Sequence, residues 1–123
     1  LTINGLVASD EILIPVQCEY YALEGLAQLL ETVDVIRNNL GKDINILGAV
    51  LTMYDKRNKL DRNIAKEVRR NFPGYVFDAV IPRNVDLAEA PGHGKTIFQF
   101  NPSSQGAIAY KALAEEVIKR CEA

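Results

Sequence analysis

With 123 residues, 48% of them hydrophobic and 24% charged, the chain has the length of one domain and the composition of an ordinary globular protein with a core. Fourteen Lys and Arg against sixteen Asp and Glu leave a net charge of −2, which argues against tight, constitutive nucleic-acid binding by a single copy. No run approaches the roughly 20 apolar residues of a membrane-spanning helix, Cys18 and Cys121 stand too far apart for a metal or redox motif, and His93 is the single histidine.

The opening residues, LTINGLVASD, read as the end of a helix, and the chain starts at Leu1 while its one methionine, Met53, is internal. The expectation is a piece of a longer protein. Three short apolar runs follow, Glu11–Val16, Ile46–Met53 and Val76–Ile81, each rich in Val, Ile and Leu and without clean alternation. That pattern predicts strands buried on both faces. Between the first two lies Tyr21–Leu40, where Leu23, Leu26, Leu30, Val33 and Leu40 form a stripe at helical spacing that Gly41 terminates.

The next predicted helix covers Leu60–Phe72, with Ile64, Val68 and Phe72 at i+4 spacing and Pro73-Gly74 as its stop. A short helix is expected over Val85–Ala90. A last helix is expected over Pro102–Arg120, with Asn101 as N-cap, Pro102 at the first position, and Ile108, Ala112 and Val117 on its apolar side. Strands alternating with helices imply right-handed crossovers and a parallel sheet, of which three strands make half.

Ligands of open parallel sheets bind beyond the carboxyl ends of the strands. Here those ends read Gln17–Tyr21, Thr52–Arg57 and Pro82–Val85, all polar or aromatic. The stretch Ala90–Thr96 (APGHGKT) imitates a phosphate-binding loop but is not one. Glu89 occupies the place of the required first glycine, Pro91 removes a backbone donor, and no strand leads into it. Between Asp55 and Arg70 seven basic residues face three acidic ones, a local excess of four positive charges in an acidic chain. This is either a solvated helix face or a footprint for phosphate.

The segments PVQCEYYALEGLAQLL (Pro15–Leu30), LTMYDKR (Leu51–Arg57), VIPRNVDLAEAPGHGK (Val80–Lys95) and NPSSQGAIAYKALAEEV (Asn101–Val117) closely resemble ParA and Soj chromosome-partitioning ATPases, in the right order and across essentially the whole chain. The resemblance implies an α/β, partial P-loop NTPase of the deviant-Walker type, a three-layer sandwich with mainly parallel strands. Residues 1–123 would be the C-terminal part of a single truncated domain whose N-terminal half, with Walker A and Walker B, lies upstream. No catalytic or metal residue is then expected in this piece, which should not hydrolyse ATP alone or hold a cofactor. The parent would use ATP and Mg, form a homodimer on ATP, bind non-specific DNA, and be reset by hydrolysis that a ParB-type activator protein stimulates. It would be cytoplasmic and nucleoid-associated, with no membrane partner.

Carried over by residue, the resemblance assigns Met53, Pro82, Arg83 and Asn84 to the adenine side of the nucleotide. Gln17, Glu19 and Tyr20 fall near the nucleotide and dimer interface. Arg57 matches a DNA-contacting arginine, with Lys59 and Arg62 as candidate phosphate contacts beside it. Where the family carries a second such arginine, this chain has Asp86, which substitutes repulsion of phosphate for attraction. Two alternatives stay open: a MinD-like cell-division regulator, against which the tail Glu115–Ala123 lacks a bulky aromatic membrane face, and a non-catalytic interaction module derived from such an ATPase. Absent upstream strands would expose an apolar sheet edge, so the isolated chain is expected to self-associate or to be marginally stable.

Overall fold

The structure, a computed structural model, describes residues 2–122. The three apolar runs become β1 (Glu11–Gln17), β2 (Asn45–Tyr54) and β3 (Val76–Pro82). They form one sheet in the order β1-β2-β3, and both pairs are parallel. Helices α2 (Ala22–Asn39) and α3 (Lys59–Asn71) carry the chain between them. Both crossover helices cover one face, where Ile14 and Val16 of β1 and Ala49 and Leu51 of β2 meet Leu26, Ile64, Ala65 and Val68. The other face is closed by α6 (Gln105–Glu122), whose Leu113 packs with Val50, Phe77 and Ile81. Ala49, Val50 and Leu51 are thus buried in sequence, alternately toward one layer and the other, as a central strand of a three-layer α/β sandwich requires.

Burial on both faces fails for β1. Ile14 and Val16 are buried, but Leu13 and Pro15 are exposed, because α6 packs over β3 and β2. The expected α3 stripe of Ile64, Val68 and Phe72 is buried, and that of α2 holds at Leu26, Leu30 and Val33 but not at its two ends. In α2 the buried residues are Leu26, Val33 and Ile36, while Leu23 and Leu40 face solvent. Ile36 is held there because α1 (Thr2–Ala8) packs Leu6 against it, together with Val33 and Ile44.

The chain between β3 and α6 is more structured than its sequence suggests. Helix α4 (Val85–Glu89) is followed by a 3-10 turn over Ala90–His93 and by a four-residue α5 (Ile97–Phe100). Thr96 and Gln99 close a reciprocal capping box on α5, so this threonine caps a helix. Asn101 ends α5 and does not cap α6. Its Oδ1 accepts from the N–H and the hydroxyl of Ser103, and its Nδ2 donates to Asp86. The cap of α6 is Ser104, whose Oγ accepts from the N–H of Ala107 at 3.1 Å, and Pro102 lies in the preceding turn. Starting at Gln105 rotates the helix, so Ala109, Leu113 and Val117 pack inward while Ile108 is 62% exposed.

Two close approaches fix the outer layer. A Cβ on Gly106 would lie 2.5 Å from Cγ of Leu87, so the first turn of α6 is seated directly on α4. At the other end, Glu116 accepts from the Tyr75 hydroxyl and from the N–H groups of Asp78 at 2.7 Å and Ala79 at 2.9 Å, while Arg120 donates to the carbonyl of Leu47 at 2.9 Å. That carbonyl belongs to a bulge in β2, where the pairing steps from Ile12–Ile46 to Leu13–Gly48 and leaves Leu47 extra. Gly48 is required there: a Cβ would stand 2.7 Å from the Phe77 ring and 2.9 Å from the Tyr75 carbonyl oxygen.

Candidate functional site

Parallel pairing brings the three carboxyl ends to one side of the sheet. Gln17 is level with Thr52, and Tyr54 with Pro82. The N–H of Cys18 donates to Thr52 at 3.0 Å and that of Arg83 donates to Tyr54 at 3.2 Å, so the polar tips are stitched directly to β2.

The tip of β2 is the most constrained. Met53 has φ +55°, the left-handed region that non-glycine residues seldom enter. Beyond it, Asp55–Asn58 forms a turn closed by the Asn58 N–H on the Asp55 carbonyl at 3.0 Å. The Asp55 carboxylate accepts from the N–H of Arg57 at 3.0 Å and from its Nε at 3.2 Å. Those hydrogen bonds, its side-chain contact first, hold the Asp55 carboxyl below its ordinary value and raise the Arg57 guanidinium. Asn58 caps α3 by accepting from Leu60 at 2.8 Å, and Arg62 donates to the Lys56 carbonyl at 2.8 Å. Beneath this turn, Asp61 is 3% exposed and accepts from the Asp55 N–H at 2.8 Å.

A cavity of about 700 Å³ opens between this turn, the tip of β3 and α6, lined among others by Tyr54, Lys56, Arg57, Pro82, Arg83 and Ile108. It brings together Arg57, Pro82 and Arg83 from the residues singled out in the sequence. Met53 and Asn84 are not in its lining. Met53 is half-buried, and the Asn84 side chain caps α4 by accepting from the Leu87 N–H at 3.3 Å. Lys59 and Arg62 lie outside it as well, Lys59 exposed and Arg62 bound to the turn. Asp86, half-buried, is tied to Asn101 at 3.2 Å.

Gln17 and Glu19 line a separate, smaller hollow of about 210 Å³ beside β1, together with Tyr21. Tyr20 is 75% exposed and stacks edge-on against Tyr21 with ring centroids 4.9 Å apart. Burial pushes the Cys18 thiol up to about 11, with Asp61 raising it further and Arg83 opposing, so it is protonated at neutral pH. Lys56, Gln105 and Ile108 also line the large cavity and were not among the site residues expected from sequence. Lys56 was visible within the basic excess, whereas Gln105 and Ile108 depend on the phase of α6. Among the described residues no cluster of three or more His, Cys, Asp or Glu side chains suits a metal ion, and no helix is long and apolar enough to cross a membrane.

Residues 1–46 match a family described as AAA domain. Over 95% of its length the chain is 54% identical to the sporulation initiation inhibitor protein Soj of Bacillus subtilis, covering 46% of that protein. It is 48% identical over 98% of its length to the chromosome partitioning protein ParA of Caulobacter vibrioides, covering 45%, and 50% identical over 99% to the chromosome-partitioning ATPase Soj of Thermus thermophilus, covering 49%. The chain therefore spans a little under half the length of these relatives. Among solved structures, cobyrinic acid a,c-diamide synthase of Mycobacterium smegmatis, crystallised with ADP and magnesium, aligns with 98% of this chain and 42% of its own at TM-score 0.72 and 28% identity. A crystal of that enzyme with an ATP analogue and magnesium aligns at TM-score 0.71.

Proposed function

Because this chain is homologous to part of the Soj and ParA chromosome-partitioning proteins, we propose that it supplies the base side of the nucleotide site and the DNA-contacting side of an ATP-dependent partitioning switch. The observation that carries the reading is the meeting of the β2 and β3 tips at a cavity rimmed by Lys56, Arg57 and Arg83, with the tip of β1 on the same side of the sheet. In the whole protein ATP favours a homodimer, the dimer binds DNA through its phosphates, and hydrolysis, stimulated by a ParB-type partner, returns it to the weak state. Differential affinity between two states is what any such switch needs. Residues 1–123 act as the C-terminal part of the ATPase domain and do not hydrolyse ATP alone.

Within this scheme Pro82 and the thioether of Met53 flank the adenine, and Arg83 and the backbone about Asn84 address its edge. The capping bond of Asn84 to Leu87 orients that residue and leaves its amide group free to donate. Bound ATP with Mg supplies the phosphoryl group to be cleaved. The part of this chain's residues is to bind and orient the base. Gln17, Glu19 and Tyr20 belong to the dimer-facing rim. Arg57 leads the DNA contacts, with Lys56 and Lys59 beside it. Arg62 holds the turn in place and contributes mainly through Lys56, while Asp86, restrained by Asn101, reduces the positive field at that rim.

The test is binding of the dimeric whole protein to random-sequence duplex DNA, by fluorescence anisotropy across a salt series. If each protomer contacts four phosphates, log affinity falls with log salt at a slope of about −3.6 per protomer. Arg57→Glu should weaken binding and flatten the slope. Affinity indifferent to salt, or to Arg57→Glu, would remove the electrostatic reading.

A further inference from the structure

Asp61 is the one acid of α3 that does not face water. It is 3% exposed in a helix whose Lys59, Arg62, Lys66, Arg69 and Arg70 are all at the surface. A buried carboxylate persists only with compensating partners, and its partners lie at the strand tips. Its Oδ2 accepts from the N–H of Asp55, just beyond β2. It occupies the first turn of α3, where the positive end of the helix dipole favours an anion. Its charge and that of Arg83, just beyond β3, both reach the thiol of Cys18, just beyond β1. Asp61 thus sits directly beneath the tip of β2.

The bond it makes is to the residue two places after Met53, whose backbone is left-handed. Non-glycine residues hold that conformation only where their surroundings over-determine it. Entering it reorients the chain at the end of β2, and the N–H of Asp55 then points toward α3, where Asp61 receives it. We propose that Asp61 is a positioning residue: by accepting the Asp55 N–H it holds Met53 in its left-handed conformation and fixes the Asp55–Asn58 turn that presents Lys56 and Arg57 to a phosphate backbone. The functional half of this statement rests on the reading above. The structural half stands without it.

Two substitutions, made in the whole protein with ATP present, separate the parts. Asp61→Asn keeps an acceptor oxygen at the same place, and Asp61→Ala removes it and leaves the Asp55 N–H unpaired. Hydrogen exchange of the Asp55 amide, read by NMR, reports the contact, and anisotropy with a short random-sequence DNA duplex reports its consequence. Asp61→Ala should lose roughly tenfold in amide protection and a similar factor in DNA affinity, while Asp61→Asn stays within about threefold of the parent in both. If Asp61→Ala does not fold, Met53→Gly, which accepts the left-handed backbone freely, should restore folding in the double variant. Unchanged protection in Asp61→Ala, an equal loss in Asp61→Asn, or no rescue by Met53→Gly of an unfolded Asp61→Ala would overturn the proposal. An unsubstituted whole protein that ignores DNA in the presence of ATP would defeat the functional reading alone, and the Asp55 amide would still decide the contact.

Discussion

Gly48 opens the buried stretch of β2 and Met53 lies two residues beyond its end, and each illustrates what one residue can be asked to do. Gly48 lets the bulge bring β2 against Tyr75 and Phe77, where a Cβ has no room. Gly48→Ala should therefore lower unfolding stability by roughly 1–3 kcal/mol, through overpacking against a backbone carbonyl that cannot move aside. Urea unfolding of the two proteins measures this, and equal midpoints would show that the bulge relaxes. Neither feature could be read beforehand. Met53 looks like any apolar residue closing a strand, and its backbone twist follows from Asp61, a residue eight positions later that periodicity places simply on a charged helix.

Strands and helices were more legible than their faces. The apolar runs located all three strands within about two residues, because a buried parallel strand needs an unbroken run of branched side chains whatever surrounds it. Helix phase was harder. Ile108, Ala112 and Val117 look like a stripe, but α6 is turned by Ser104, Gly106 and the need to seat Leu87, so that Ala109 and Leu113 face the sheet. The candidate site was legible as three polar tips. Its cavity was not, since one wall comes from that rotated helix. The far end of α6 depends on Glu116. Burial alone would raise its carboxyl, but the hydrogen bonds from Tyr75, Ala79 and Asp78 outweigh that and hold it below the usual value. A depressed carboxylate stabilises the fold in full above about pH 5, and the contribution fades as pH falls through the folded-state value. Glu116→Ala should cost about 2 kcal/mol at neutral pH. Glu116→Gln should flatten the acid limb of stability against pH, measured by denaturant unfolding. An unaltered acid limb would mean that other carboxylates set it.

As a whole molecule the chain is open. It exposes 8081 Å², whereas a compact monomer of its mass exposes about 6,600 Å². The difference, roughly 1,500 Å², is about twice what one partner contributes to a standard interface. Among the described residues β1 is hydrogen-bonded on one side only, and its Leu13 and Pro15 stand uncovered on the face α6 does not reach. Sedimentation velocity should accordingly show association that grows with concentration, and Leu13→Lys should reduce it. A single monomeric boundary at high concentration would count against this. Residue and element scales meet at the seat of Gly106 on Leu87. With no gap between them, α6 cannot tilt without carrying α4 along, and α4 begins at Val85, two residues after Arg83 at the rim. The long helix therefore works as a lever with its short arm at the cavity. Anything that grips its distant end, near Glu116 and Arg120, gains a mechanical handle on the rim without touching it.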